Sequence, residues 1–126
     1  MIDDDLDARR ARGAAVYART LGVPATESAA ALATRAGAAF SDEALLAAGG
    51  DAWSHPGLTD RDRSIAIITA LTAQGVTGDR LTTHLQRAQD EGLDVDALTG
   101  LTILLAGYLG YPKASLAMET LHHMDR

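Results

Sequence analysis

The chain has 126 residues, of which 47% are hydrophobic but only 4% aromatic, and its formal net charge is −6. This length suits one domain rather than two, and the negative charge disfavours nonspecific binding to nucleic acid or to an anionic membrane surface. Since there is no cysteine, disulfides, thiolate metal sites and thiol nucleophiles are excluded.

The N-terminal segment is acidic and reads MIDDDLDARRAR. It lacks the apolar core of a signal peptide, and no apolar run in the sequence is long enough to span a bilayer. We therefore expect a cytoplasmic protein without a membrane partner. Residues 1–8 are a candidate for a disordered acidic terminus. The first helix is predicted from about Leu6 to Thr20, because Gly22-Val23-Pro24 would end it.

The next stretch is rich in alanine. Thr26 or Ser28 can cap a second helix that runs to about Phe40. Ser41-Asp42-Glu43 then predicts the start of a third helix, since acidic side chains suit a first turn. Gly49-Gly50 is expected to break or kink that helix.

The middle of the chain predicts two helices joined by a glycine-rich turn. The first, at about 59–75, begins at Thr59, where Asp62 can complete a capping box. The second, at about 78–91, carries a histidine, His84, on a half-apolar stripe. This lone imidazole is the most distinctive side chain in the sequence.

Two further helices are predicted in the last third of the chain. Asp94 caps the first of them and Pro112 suits the first turn of the second. The residues predicted to face the core are Leu98, Leu101, Ile103, Leu104, Leu105, Tyr108, Leu116 and Leu121. No segment has the period of a strand. The expected fold is an all-α bundle of about six or seven helices without a sheet, with residues 1–126 in a single domain.

Small residues dominate this composition, with abundant alanine and 12 glycines. Small side chains let helices approach closely but bury little apolar area each. A monomer of this kind would have a thin core. We therefore expect association with other copies of the chain.

A set of short motifs stands in a recognisable order. These are Trp53, Pro56-Gly57-Leu58, Arg61-Asp62-Arg63-Ser64, Leu81, His84, Arg87-Ala88, Gly92 and Tyr108-Leu109-Gly110-Tyr111-Pro112. In this order and spacing, between about Arg9 and Leu121, the chain resembles the carboxymuconolactone decarboxylase family. The resemblance implies a helical bundle of the alkylhydroperoxidase D-like type, assembled as a homo-oligomeric trimer or hexamer. It also implies a lyase of aromatic degradation that decarboxylates a carboxylated muconolactone without a cofactor.

The chain departs from that family at several positions. Thr77 and Arg80 stand where the related peroxidase branch carries its two cysteines, which excludes thiol peroxidase chemistry. Decarboxylase-like members usually have a glutamate at the position of Arg80, and acidic residues where Ala97 and Gly100 stand. Two alternatives are therefore open. The fold can serve another cofactor-free reaction of specialised metabolism (isomerisation, cyclisation or hydrolysis), or the protein can be a non-catalytic oligomeric binding protein.

The implied reaction requires a protein that orients a carboxylate and holds a proton donor. His84 suits the transfer of the proton, because the ordinary pKa of histidine lies near neutrality. Either Arg63 or Arg80 can hold a carboxylate through a bidentate contact. We assign Arg63, together with His84, to the catalytic residues. The other side chains expected to bind substrate are Trp53, His55, Tyr108 and Tyr111.

Each of these assignments has a structural alternative. His84 can be a half-buried histidine with a satisfied hydrogen bond, and Trp53 can be a packing anchor. Arg63 can pair with Asp60 or Asp62, and Arg80 can simply be exposed or lie in an interface. No metal or other cofactor is expected, since the two adjacent histidines near the C-terminus point about 100° apart on a helix.

Overall fold

The structure, a computed structural model, describes residues 5–124. It consists of seven α-helices joined by short turns, and residues 5–124 contain no strand, so the predicted all-α class is confirmed. The helices are α1 (Leu6–Leu21), α2 (Ser28–Ala36), α3 (Ala38–Ala47), α4 (Asp60–Ala73), α5 (Asp79–Asp90), α6 (Val95–Leu109) and α7 (Tyr111–Met124). None of the helices in that range has the length and apolar character needed to cross a membrane.

The chain falls into two compact units, which divide between Gly57 and Leu58. The N-terminal unit contains α1 to α3, and the C-terminal unit contains α4 to α7. Residues 1–4 of the segment considered for disorder lie outside the described residues, and Leu6 to Ala8 belong to α1. A single domain over residues 1–126 stays a prediction.

In the N-terminal unit, two glycines let α1 pack backbone to backbone against α3 and the turn that follows it. A Cβ atom at Gly13 would overlap the backbone of Leu45, and one at Gly49 would overlap the carbonyl group of Arg9. The Arg9 Nε donates a hydrogen bond to the Leu46 carbonyl oxygen at 2.6 Å. Only glycine leaves room for this approach, which fixes α1 against α3.

The boundary between α2 and α3 differs from the sequence prediction. The second helix does not reach Phe40, because it ends at Ala36 and Gly37 takes a left-handed φ of 90°. Helix α3 then begins at Ala38, three residues before the predicted start. The break after α3 is confirmed: the chain forms a π-helical turn in which Gly50 leaves the helical conformation.

The C-terminal unit is built around one apolar core to which all four of its helices contribute. Its most deeply buried side chains are Ile68 of α4, Leu81 and Leu85 of α5, Leu98 of α6 and Leu121 of α7. Burial of such side chains is the main contribution to the stability of a helical unit of this size. Helix α5 lies against both α4 and α7, so the core fixes its rotation about its own axis.

The predicted helix starts in this unit are confirmed at atomic level. Thr59 Oγ1 accepts a hydrogen bond from the Asp62 backbone N–H at 3.1 Å, and Asp62 Oδ2 accepts one from the Thr59 N–H at 3.0 Å. Asp94 caps α6 by accepting from the Ala97 N–H at 2.8 Å. Two helix starts were therefore encoded in local side-chain chemistry.

The inward-facing sides of α6 and α7 were predicted only in part. Burial of Leu98, Leu105 and Leu121 is confirmed, and Leu101 is partly buried against the core. The prediction was wrong for four side chains that are exposed instead: Ile103, Leu104, Tyr108 and Leu116. Helix α6 is apolar on both sides, and a pattern that is apolar all round does not tell which side faces the core.

Candidate functional site

His84 lies near the middle of α5 and is half-buried. Gly78 precedes the helix with a φ of 69°, a conformation that other residues rarely adopt. Along the helix, Leu81, Leu85 and Ala88 are buried in the core of the C-terminal unit. The imidazole therefore lies at the edge of the core.

Two effects lower the pKa of His84 below its ordinary value of 6.5. The larger is burial, which penalises the charged imidazolium, and the smaller is repulsion by the positive charge of Arg87. At neutral pH the ring is consequently neutral. A neutral imidazole has one nitrogen that donates and one that accepts, so it is able to take up a proton.

Arg87 is the residue whose importance the sequence analysis missed. Its side chain is only 4% exposed, and its Nε and Nη2 atoms are buried. It follows His84 by three residues on α5, so the two side chains lie on neighbouring parts of the helix surface. Arg87 belongs to the Arg87-Ala88 motif of the sequence, and its three-residue spacing from His84 was the signal that could have identified it. Because arginine is usually exposed, its burial was not foreseen.

Arg63, the second residue predicted to be catalytic, is 7% exposed in the first turn of α4. Its Nη1 lies 3.2 Å from Asp60 Oδ1, which agrees with the structural alternative of an ion pair within the helix start. A substrate carboxylate would have to share this guanidinium with Asp60. Its catalytic role stays a prediction.

The remaining predicted site residues occupy different surfaces. Arg80 is exposed at the start of α5, one turn before His84. Tyr108 and Tyr111 are exposed on α6 and α7. Trp53, which is half-buried, and His55, which is exposed, belong to the N-terminal unit; the His55 Nδ1 accepts a hydrogen bond from the Gly57 N–H at 3.0 Å.

A cavity of about 470 Å³ lies in the C-terminal unit, between the start of α5 and α7. Its walls include Thr77, Thr82, Leu116, Glu119, Thr120 and His123. His84 does not line it, since Thr82 and His84 are two residues apart on a helix and point about 160° apart. The cavity is widely open to solvent, and it is not the His84 pocket that the sequence predicted.

The polar side chains of this cavity have a defined arrangement. The His123 Nδ1–H donates to the Glu119 carbonyl oxygen at 2.6 Å. The Thr120 hydroxyl donates to the Leu116 carbonyl oxygen at 2.9 Å. Within residues 5–124, no group of three or more histidine and carboxylate side chains is placed to hold a metal ion.

Comparison with known proteins identifies the family. The model described as "Carboxymuconolactone decarboxylase family" matches residues 39–122. A protein named 4-carboxymuconolactone decarboxylase, from Acinetobacter baylyi, is 37% identical over 70 residues, which cover 56% of this chain and 52% of that protein. The chain thus spans about half the length of this curated relative. No solved structure matches the chain. His84 and Arg87 both lie in the region that the family model matches.

Proposed function

The chain belongs to the carboxymuconolactone decarboxylase family, and from this premise we propose that it is a decarboxylase-like, cofactor-independent enzyme with His84 as its proton donor and acceptor. Its substrate would be a small oxygenated carboxylic acid or lactone. The name of the Acinetobacter relative, 4-carboxymuconolactone decarboxylase, supports this class of substrate.

The observation that carries the proposal is the pairing of His84 with the buried charge of Arg87. The imidazole is half-buried and its pKa is lowered, while the neighbouring guanidinium is almost fully removed from water. The charge of Arg87 acts on the ring of His84, and a positive charge so close favours a negative charge beside the ring. The arrangement therefore combines a proton carrier with a field that favours a carboxylate or an enolate.

The reaction balances when His84, neutral in the free protein, takes one proton from solvent as the substrate binds. The bond between the carboxylate carbon and the ring breaks, CO₂ leaves, and the electron pair moves into a conjugated carbonyl group of the substrate to form an enolate. His84, in its protonated form, then gives one proton to carbon. An anionic substrate beside the ring raises the pKa of His84, because it opposes the two effects that lower it in the free protein.

The other predicted residues have subordinate roles in the proposal. Arg80, one turn before His84, would hold the substrate carboxylate, with Arg63 as the alternative that has to leave Asp60. The substrate contacts assigned to Trp53, His55, Tyr108 and Tyr111 stay predictions from the sequence.

The test is turnover of 4-carboxymuconolactone, followed by CO₂ release and by analysis of the lactone product. His84→Gln should lower kcat by about 10²- to 10⁴-fold, the usual contribution of a general acid or base. The control is His122→Gln, since His122 is exposed near the end of α7, and it should leave kcat unchanged. Equal activity of the His84 variant and the wild type would remove His84 from the mechanism.

A second candidate is a non-catalytic oligomeric binding protein. It is favoured by the position of the 470 Å³ cavity, which His84 does not line, and by Arg80, Ala97 and Gly100 at positions where the family usually carries acids. For such a protein, calorimetry would detect binding of the lactone while CO₂ release is absent. Conversion of the lactone without CO₂ release would instead indicate another cofactor-free reaction of the same fold.

A further inference from the structure

The chain leaves α3 through a turn that leads directly to two of the residues predicted to bind substrate, Trp53 and His55. This is the π-helical turn of residues 48–52, in which Gly50 has a φ of −85° and a ψ of −149° instead of helical values. Trp53 is the next residue after the turn and is half-buried. The conformation of Gly50 therefore sets the direction in which Trp53 and His55 leave the helix.

Two arginines of α1 bind the backbone at this turn. The Arg9 Nε donates a hydrogen bond to the Leu46 carbonyl oxygen at 2.6 Å, and the Arg12 Nε donates one to the Gly49 carbonyl oxygen at 3.0 Å. Carbonyl groups at the end of an α-helix lack the usual partner within the helix, so other donors have to satisfy them. The end of α3 is thus held by side chains that come from a different helix.

Arg9 also contacts the turn at its two glycines. A Cβ atom at Gly49 would overlap the carbonyl group of Arg9, and one at Gly50 would lie 2.6 Å from the Arg9 Nη2 and 3.1 Å from its Cζ. The guanidinium of Arg9 therefore lies directly over the backbone of Gly50. Because glycine has the widest choice of φ and ψ, this contact restricts the turn more than it would restrict another residue.

Hydrogen bonds link the turn to the residues that follow it. The Ser54 hydroxyl donates to the Gly50 carbonyl oxygen at 2.8 Å, and the His55 N–H donates to the Asp51 carbonyl oxygen at 2.9 Å. A change of conformation at Gly50 therefore moves residues 53–55 with it.

We propose that Arg9 is a positioning residue for substrate binding, because it holds Gly50 and, through Gly50, fixes the place of Trp53 and His55. The proposed function gives no residue of α1 a role; this inference adds one, and it rests on that function for the substrate contacts of Trp53 and His55. Since His84 transfers the proton, loss of Arg9 should raise KM and leave kcat unchanged.

The fluorescence of Trp53 tests the positioning without any substrate, because this residue is the only tryptophan of the chain. In Arg9→Met, quenching by acrylamide should become about twofold faster, since a half-buried ring that loses its fixed place exposes about twice the surface. The matched control is Arg10→Met. It also removes a contact between α1 and α3, the ion pair with Asp42 at 2.6 Å, but this contact does not involve the turn. Its quenching should equal that of the wild type, at a temperature where circular dichroism shows that both variants are folded.

A second substitution tests the contact between Arg9 and Gly50. Gly50→Ala places a methyl group where the guanidinium lies, so it should speed quenching as Arg9→Met does, and the double variant should show no further increase. The proposal is overturned if Arg9→Met or Gly50→Ala is quenched like the wild type, if Arg10→Met is quenched as fast as Arg9→Met, or if the effects of the two turn substitutions add.

Turnover of 4-carboxymuconolactone distinguishes a failure of this proposal from a failure of the proposed function. With an active wild type, Arg9→Met should raise KM about tenfold, because a misplaced contact weakens binding, whereas Arg10→Met should change neither KM nor kcat. An unchanged KM in Arg9→Met would overturn the role in substrate binding. A wild type that does not convert the lactone would refute the proposed function, and the quenching results would then decide on their own whether Arg9 positions Trp53.

Discussion

At the scale of single residues, the proposed reaction depends on how two side chains of α5, His84 and Arg87, share one environment. Burial lowers the pKa of His84 more than the charge of Arg87 does. Both effects favour the neutral ring, and the attraction of a negative charge bound nearby opposes them. The same pair thus keeps the imidazole neutral without ligand and makes it easier to protonate when an anion is present.

This ordering of causes predicts the effect of removing the Arg87 charge. In Arg87→Met the pKa of His84 should rise towards 6.5 but remain below it, because burial persists. The measurement is an NMR titration of the imidazole Cε1–H signal. Arg80→Met is the control, since Arg80 is exposed and does not contribute to the shift of His84. A wild-type pKa at or above 6.5, or an equal change in the Arg80 variant, would contradict the assignment.

The sequence predicted where these side chains lie along their helices but not how deeply each of them is buried. The spacing of apolar residues placed His84 beside the core, because helical periodicity fixes which positions share a side. It did not reveal that Arg87 is buried, nor that Tyr108 is exposed. How deeply a side chain is buried depends on which helices pack against its own helix, and a single sequence does not show which helices do so.

At the scale of secondary-structure elements, local chemistry was the better guide. The capping residues Thr59 and Asp94 were predicted because a cap involves atoms only two or three residues apart. The break at Gly37 was missed because the alanine-rich residues on both sides of it favour a helix equally. A single glycine in such a run ends a helix only when the packing requires a change of direction.

The cap of α4 provides a quantitative prediction. Thr59→Ala removes the acceptor for the Asp62 N–H and should lower the free energy of unfolding by about 1 kcal/mol, the usual contribution of an N-cap. Urea denaturation with an unchanged m-value is the measurement. In the control, Thr34→Ala, an exposed hydroxyl that donates to a carbonyl oxygen within α2 is removed instead, and stability should not fall. Equal losses in both variants would show that the α4 cap has no special contribution.

At the scale of the whole molecule, the composition and the structure lead to the same expectation. Alanine and glycine limit what each helix buries, and α6 leaves three large apolar side chains in water, those of Ile103, Leu104 and Tyr108. The sequence indicated that further copies would be needed to cover apolar surface. Only the structure shows which apolar side chains of α6 are exposed, because the inner and outer sides of this helix have similar residues.

If copies of this chain associate, as the composition predicts, the thermal stability of the protein depends on its concentration. Association favours the folded state by mass action, so Tm should rise with total protein. For a dimer that unfolds to two chains, a rise of about 2–4 °C per tenfold increase in concentration is expected at this chain length. Scanning calorimetry between 5 and 500 μM measures it. A wild-type Tm that is independent of concentration would mean that each chain is stable with Ile103, Leu104 and Tyr108 exposed to water.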